Sequence, residues 1–273
     1  MASTEGKNET ENNEEASSHP EESPLDKLNR LIDLVKVKIS EGDSELESIL
    51  RQFFQVNISD QRDNCDKVFD DIIGVIQSLQ DLQQYHECLS MLWLAGNLCK
   101  TFSKPDIKIN RLDECGHLAN ITAKHMFLDD KKYDIERYTL PMMQHLYEEM
   151  KSVETDASAP RAFILCHFFS RLGWCHFFIN NYKDAANYFS EGLKTITNMH
   201  GDKAKEFLIT GACCYEVGEC YRLMQKFDDA IEMLEKAIEM YKGAQDVEEE
   251  EKRKCIDYCN DRLQKCRARD SVL

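Results

Sequence analysis

The chain is short of positive charge: 34 Lys and Arg stand against 50 Asp and Glu, a net charge of −16. Phosphate binding rests on clustered Lys and Arg, so nucleic acid is excluded as a partner. The acidity instead serves solubility or draws a basic partner. An apolar leader is also missing. Residues 1–24 are polar and acidic, with seven Glu, one Lys and no Ile, Leu, Val or aromatic residue. Such a segment is no secretory signal, and it has too little apolar surface to offset its ordering entropy, so a disordered tail is expected. Without a secretory route, the twelve cysteines read as reduced thiols of a cytoplasmic protein, and Asn8, Asn57 and Asn120 lie in glycosylation sites that are never used. No CxxC pair, HExxH, GxSxG or Gly-rich phosphate loop occurs, which removes the commonest zinc, hydrolase and nucleotide sites. One apolar stretch, 162–179, has the 18 residues of a minimal membrane span. It carries Arg171 near its centre, with His167 and His176. A central Arg costs about 2.5–3.5 kcal/mol on insertion, so no membrane span is expected.

What the chain does contain, it contains twice. Residues 171–193 read RLGWCHFFINNYKDAANYFSEGL and residues 216–238 read EVGECYRLMQKFDDAIEMLEKAI. In register, Gly173 pairs with Gly218, His176 with Tyr221, Tyr182 with Phe227 and Ala185 with Ala230; Phe189 then meets Leu234, and Gly192 meets Ala237. The offset is 45 residues throughout, and a fixed offset marks a repeat architecture. Each copy reads as a helix, a polar turn and a second helix. Glycine inside a helix costs roughly 1 kcal/mol against Ala, so matched glycines indicate a neighbour that comes close.

This pattern resembles the tetratricopeptide repeat. The spacing exceeds that family's common length and is nearer the long-helix repeats of kinesin-light-chain-like proteins, whose second helices KAIEMYK (236–242) resembles. Two weaker copies precede the clear ones. The aromatic after each turn falls at Tyr85, Tyr133, Tyr182 and Phe227, spaced 48, 49 and 45 residues apart. The copy around Tyr133 departs from the pattern. Glu136 replaces the small residue, and Pro141 falls where the second helix should run, so that helix is expected to kink or to begin at the proline. The expected organisation is all-α: an acidic tail (1–24), a helical hairpin as cap (25–57), four helix pairs (about 63–103, 108–152, 160–200 and 203–243) and a capping helix (246–269). Together these form an antiparallel helix-pair superhelical solenoid.

Residues that could carry chemistry read as packing. Cys255, Cys259 and Cys266 share one face of the last helix, and Cys213, Cys214 and Cys220 cluster on an earlier one; free cysteine packs as a small hydrophobe. Glu114-x-x-His117 is half of a di-iron bundle motif without its second half. His167, His176, Cys166 and Cys175 share a helix, with His176 at a core position. No catalytic residue, metal or cofactor is expected.

The resemblance implies a protein-binding adaptor or scaffold with a peptide segment or helix of a partner in a concave groove lined by first helices, and the chain's acidity makes a basic partner the expected one. Carried over residue by residue, it places Ser170, Arg171, Trp174 and Phe178, then Tyr215, Glu219 and Arg222, on that groove. It gives Gly173, Ala185, Phe189, Gly218, Tyr221, Ala230 and Ala237 structural roles. The carboxylate clamp of chaperone-binding members is absent, since Ser170, Trp174, Ala212, Tyr215 and Glu216 replace its Lys, Asn and Arg. Two alternatives stand beside the adaptor: a subunit or docking factor of a larger assembly, like vesicle-fusion attachment proteins or proteasome-lid solenoids, and a helical-bundle metalloenzyme.

Overall fold

The computed structural model describes residues 30, 31, 33, 34, 65–153 and 159–269. The expectations for the tail and almost all of the 25–57 hairpin lie outside these residues, though Leu31 is buried in the main core. Ten α-helical segments follow among the described residues from residue 65: α1 (Cys65–Asp81), α2 (Tyr85–Leu98), α3 (Pro105–Leu128), α4 (Lys132–Asp134), α5 (Leu140–Lys151), α6 (Ala159–Phe178), α7 (Tyr182–His200), α8 (Leu208–Leu223), α9 (Phe227–Gly243) and α10 (Glu249–Arg267). No strand occurs among them. Packing runs within each helix pair and between successive pairs, as between α3 and α6, the arrangement of a repeat protein.

The pairs are antiparallel, as two glycines establish. A Cβ on Gly218 would meet Leu234, and one on Gly211 would meet Tyr241. Seven residues back along α8 is therefore seven forward along α9. The first helices α6 and α8 carry no fully exposed side chain among their described positions, whereas the second helices α7 and α9 alternate buried with exposed ones. A helix apolar all round belongs inside, and an amphipathic one belongs at the surface.

The four turns between paired helices are built alike. Gln83, Asp130, Asn180 and Gln225 each take a left-handed backbone, with φ of 58°, 59°, 65° and 60°. The next residue's N–H reaches back into the first helix: Gln84 to Leu79 (2.9 Å), Lys131 to Met126 (2.8 Å), Asn181 to His176 (2.9 Å) and Lys226 to Tyr221 (2.9 Å). This is the Schellman closure, usually made with glycine because a Cβ costs about 1–2 kcal/mol there. None of the four is glycine, so Gln225→Gly should raise stability by about 1 kcal/mol, read as a shift of the urea midpoint. A lower midpoint would show that the glutamine side chain contributes more than the strained backbone takes away.

At Pro141 the second helix neither stops nor restarts. Residues Ile135–Thr139 widen into a π-turn between α4 and α5, with Pro141 in the first turn of α5. Proline has no N–H for the i−4 carbonyl. The wider turn lets the chain pass through with one extra residue, and such π-bulges recur at functional sites.

Candidate functional site

Successive first helices are joined by polar side chains, one set per step. Between α3 and α6, Arg171 Nη1 donates to Asp113 Oδ1 at 2.6 Å and to the Asp113 carbonyl at 3.0 Å. His167 Nδ1 stands 3.9 Å from the same carboxylate. Between α6 and α8, Trp174 Nε1 donates to Glu216 Oε1 at 2.8 Å, and Ser170 Oγ donates to both Glu216 oxygens at 3.2 Å. Between α8 and α10, Glu219 accepts from Arg222 Nε and Nη2 at 2.8 and 2.7 Å, with Arg262 Nε of α10 at 3.4 Å. Tyr215 hydrogen-bonds Arg262. These residues recur at helical spacing, so each first helix turns one polar edge toward the next.

Two buried carboxylates on this edge differ sharply. Glu219 lies between two guanidiniums. Glu216, buried at 8% exposure, makes no ion pair among the described residues and meets only neutral donors. Burial pushes its carboxyl up to about 8, against the pull of Trp174 and Ser170. Charge without a counter-ion is unfavourable in a dry site, so the proton is held into the neutral range.

The seven positions carried over to a groove fall in two groups. Ser170, Trp174 and Tyr215 are half-buried. Arg171, Phe178, Glu219 and Arg222 are buried, Arg222 completely. Phe178 stacks on Phe127 at 4.9 Å between ring centres. The first helices thus approach closely enough for their facing side chains to bury one another. Asp113 and Arg262 belong to the same polar edge. Arg262 had a sequence signal, a basic residue beside the apolar stripe of Cys259, Leu263 and Cys266, whereas Asp113 had none.

The repeat positions lie where paired helices touch. Gly173 faces the Phe189 ring, and Gly218 faces Leu234 and the Ala230 carbonyl. Ala185, Phe189, Ala230 and Ala237 are fully buried, and Tyr221 is half-buried with the Lys226 ammonium 5.6 Å from its ring centre. Among the other candidates, His176 stacks on Tyr188 at 5.2 Å and contacts Asn181. Cys214 and Cys259 pack with Tyr241, and burial pushes their thiols up to about 11 and about 12. Thiols held protonated are poor nucleophiles and poor metal ligands. No three His, Cys, Asp or Glu residues are grouped to hold a metal ion, and no helix is long and apolar enough to cross a membrane, among the described residues.

Packing confined to helix pairs and the pairs next to them, antiparallel pairing and a repeated left-handed turn define a helical-repeat protein. Residues 212–243, which run through α8 and α9, match the sequence profile of the tetratricopeptide repeat. Forty chains of solved structures are similar, among them BtubC (BKLC) from P. vanneervenii, 13% identical, with a TM-score of 0.50 over 88% of this chain and 91% of that one. No curated protein matches. The fold is tetratricopeptide-repeat-like.

Proposed function

We propose that the chain is a non-catalytic cytoplasmic adaptor that holds a basic segment of a partner protein against its first-helix layer. The four helix pairs would supply the surface and α10 the cap. The carrying observation is Glu216. A dry carboxyl beside two half-exposed neutral donors and without a cation is a site where an arriving Lys or Arg would release the proton and form a charge-assisted hydrogen bond with the carboxylate. Trp174 and Ser170 supply the approach, and Trp is enriched at binding hot spots.

Affinity capture with wild-type bait and with Glu216→Gln tests this reading. Glutamine keeps the size and an acceptor for Trp174, so the fold is retained. The partner held by wild type should be lost at least tenfold from the variant. Equal capture by both baits would place the site elsewhere.

The same variant carries a pH signature. The folded carboxyl titrates at about 8 against 4.5 when free, so the folded state binds the proton more tightly. Stability from this group is complete below about pH 4.5 and is lost as pH rises through about 8. Glu216→Gln should flatten that decline in urea midpoints between about pH 4.5 and about pH 8. An unchanged slope would mean the carboxyl is hydrated.

A further inference from the structure

The layer of second helices also carries an opening. Between α2 and the π-widened segment lies a groove of about 550 Å³, within the size range of ligand and peptide sites. Its apolar wall is Leu89, Trp93, Tyr138, Pro141 and Met142. The opening follows from the backbone: the π-turn Ile135–Thr139, coupled to Pro141, adds a residue to this helix and turns Arg137 and Tyr138 outward, where both are exposed.

Charge singles the groove out further. In a chain of net charge −16, its lining holds the Arg137 guanidinium and the His86 imidazole and no carboxylate. The acid beside it, Asp134, lies 3.6 Å from His86 and within electrostatic reach of Arg137. Arg137 makes no ion pair among the described residues. It lies 5.3 Å from the Tyr138 ring centre and 5.8 Å from that of Tyr133, and donates to the Tyr133 hydroxyl at 3.1 Å. The guanidinium is solvent-exposed beside these two rings, with one nitrogen donating to Tyr133 and the rest of the group open to a ligand. Trp93, stacked on His145 at 4.4 Å, fixes the floor. Trp, Tyr and Arg together are the side chains that dominate binding energy where they cluster, and a fixed guanidinium takes a carboxylate in bidentate fashion.

We propose that this groove is a second docking site, on the second-helix layer and independent of Glu216, for an acidic peptide segment of a partner protein. An apolar side chain of the peptide, aromatic or proline, would lie on Trp93 and Pro141, and a neighbouring Asp or Glu would pair with Arg137. The two layers would then select segments of opposite charge.

The probe is a fluorescent peptide of about twelve residues, Asp and Glu flanking a central Phe-Pro, titrated with the full chain and followed by anisotropy. A Lys-flanked peptide with the same centre is the control. The acidic probe should bind, weaken at least tenfold for Arg137→Glu, and weaken with added salt, while the control does not bind. Arg137 is exposed and contacts only tyrosines, so the variant keeps the fold, which circular dichroism checks. No binding up to about 1 mM, equal binding of the Lys peptide, or binding indifferent to Arg137→Glu would overturn the proposal. So would binding that appears only once residues 1–24 are deleted, since the chain's own tail would then be the occupant. A dimer that Arg137→Glu dissolves in sedimentation would likewise overturn it, because the groove would then hold a second copy.

Discussion

Gly173→Ala is expected to destabilise the protein by about 2 kcal/mol, although alanine is the better helix former. A Cβ at this position would run into the Phe189 ring, meeting its Cε1 and lying 2.6 and 2.8 Å from Cδ1 and Cζ. That ring cannot step aside. It is fully buried and lies edge-on to Trp174 at 5.7 Å. Overpacking of this kind costs about 1–3 kcal/mol, against a propensity gain of roughly 1 kcal/mol. Gly74, in the exposed middle of α1, is the internal control, since nothing lies within 4 Å of its added Cβ. Gly74→Ala should therefore stabilise by up to about 1 kcal/mol. The measurement is a pair of urea curves against wild type. If both alanines raise the midpoint, the close approach of α6 and α7 is wrong.

That helix crossing was legible in the sequence because close approach leaves a chemical trace: only a small residue fits, and it recurs at the repeat offset. The turns were legible as polar pairs, but their left-handed residue was not, since Gln83, Asp130 and Gln225 stand where glycine would have announced it. Pro141 announced a break in the ladder. Whether the chain kinks, restarts or widens there depends on what α2 and α3 pack against it, which no local pattern carries. The polar edge was the hardest part to read. Arg171, Glu219 and Arg222 occupy outward positions of their own helix pairs, and charge at such positions normally means solvent. Their burial comes from the distance between successive pairs and from partners far along the chain, Asp113 for Arg171 and Arg262 for Glu219. Spacing within one helix says nothing about either. The α2–α5 groove was invisible for the same reason, because its walls are about 50 residues apart in sequence.

Arg222→Met should be the more damaging change, costing about 3–5 kcal/mol. The side chain is entirely out of solvent, and its guanidinium gives two charge-assisted hydrogen bonds to Glu219, itself 4% exposed. Methionine keeps much of the volume but leaves Glu219 in a dry site with only Arg262, at 3.4 Å. The loss is thus mainly the stranded carboxylate rather than the missing contact. A second substitution separates the two. Glu219→Leu in the Arg222→Met background removes the stranded charge, and replacing a buried pair by packed apolar groups is often neutral or better. The double variant should recover at least half of what the single one loses, read from urea midpoints on all four members of the cycle. Arg222→Met within about 0.5 kcal/mol of wild type would show that the pair is hydrated rather than buried. The result also governs how binding is mapped. Substituting Arg222 would disturb the packing of α8 on α10 whatever the chain binds, so a contact role for the first-helix layer is tested at Glu216, where glutamine leaves the packing in place.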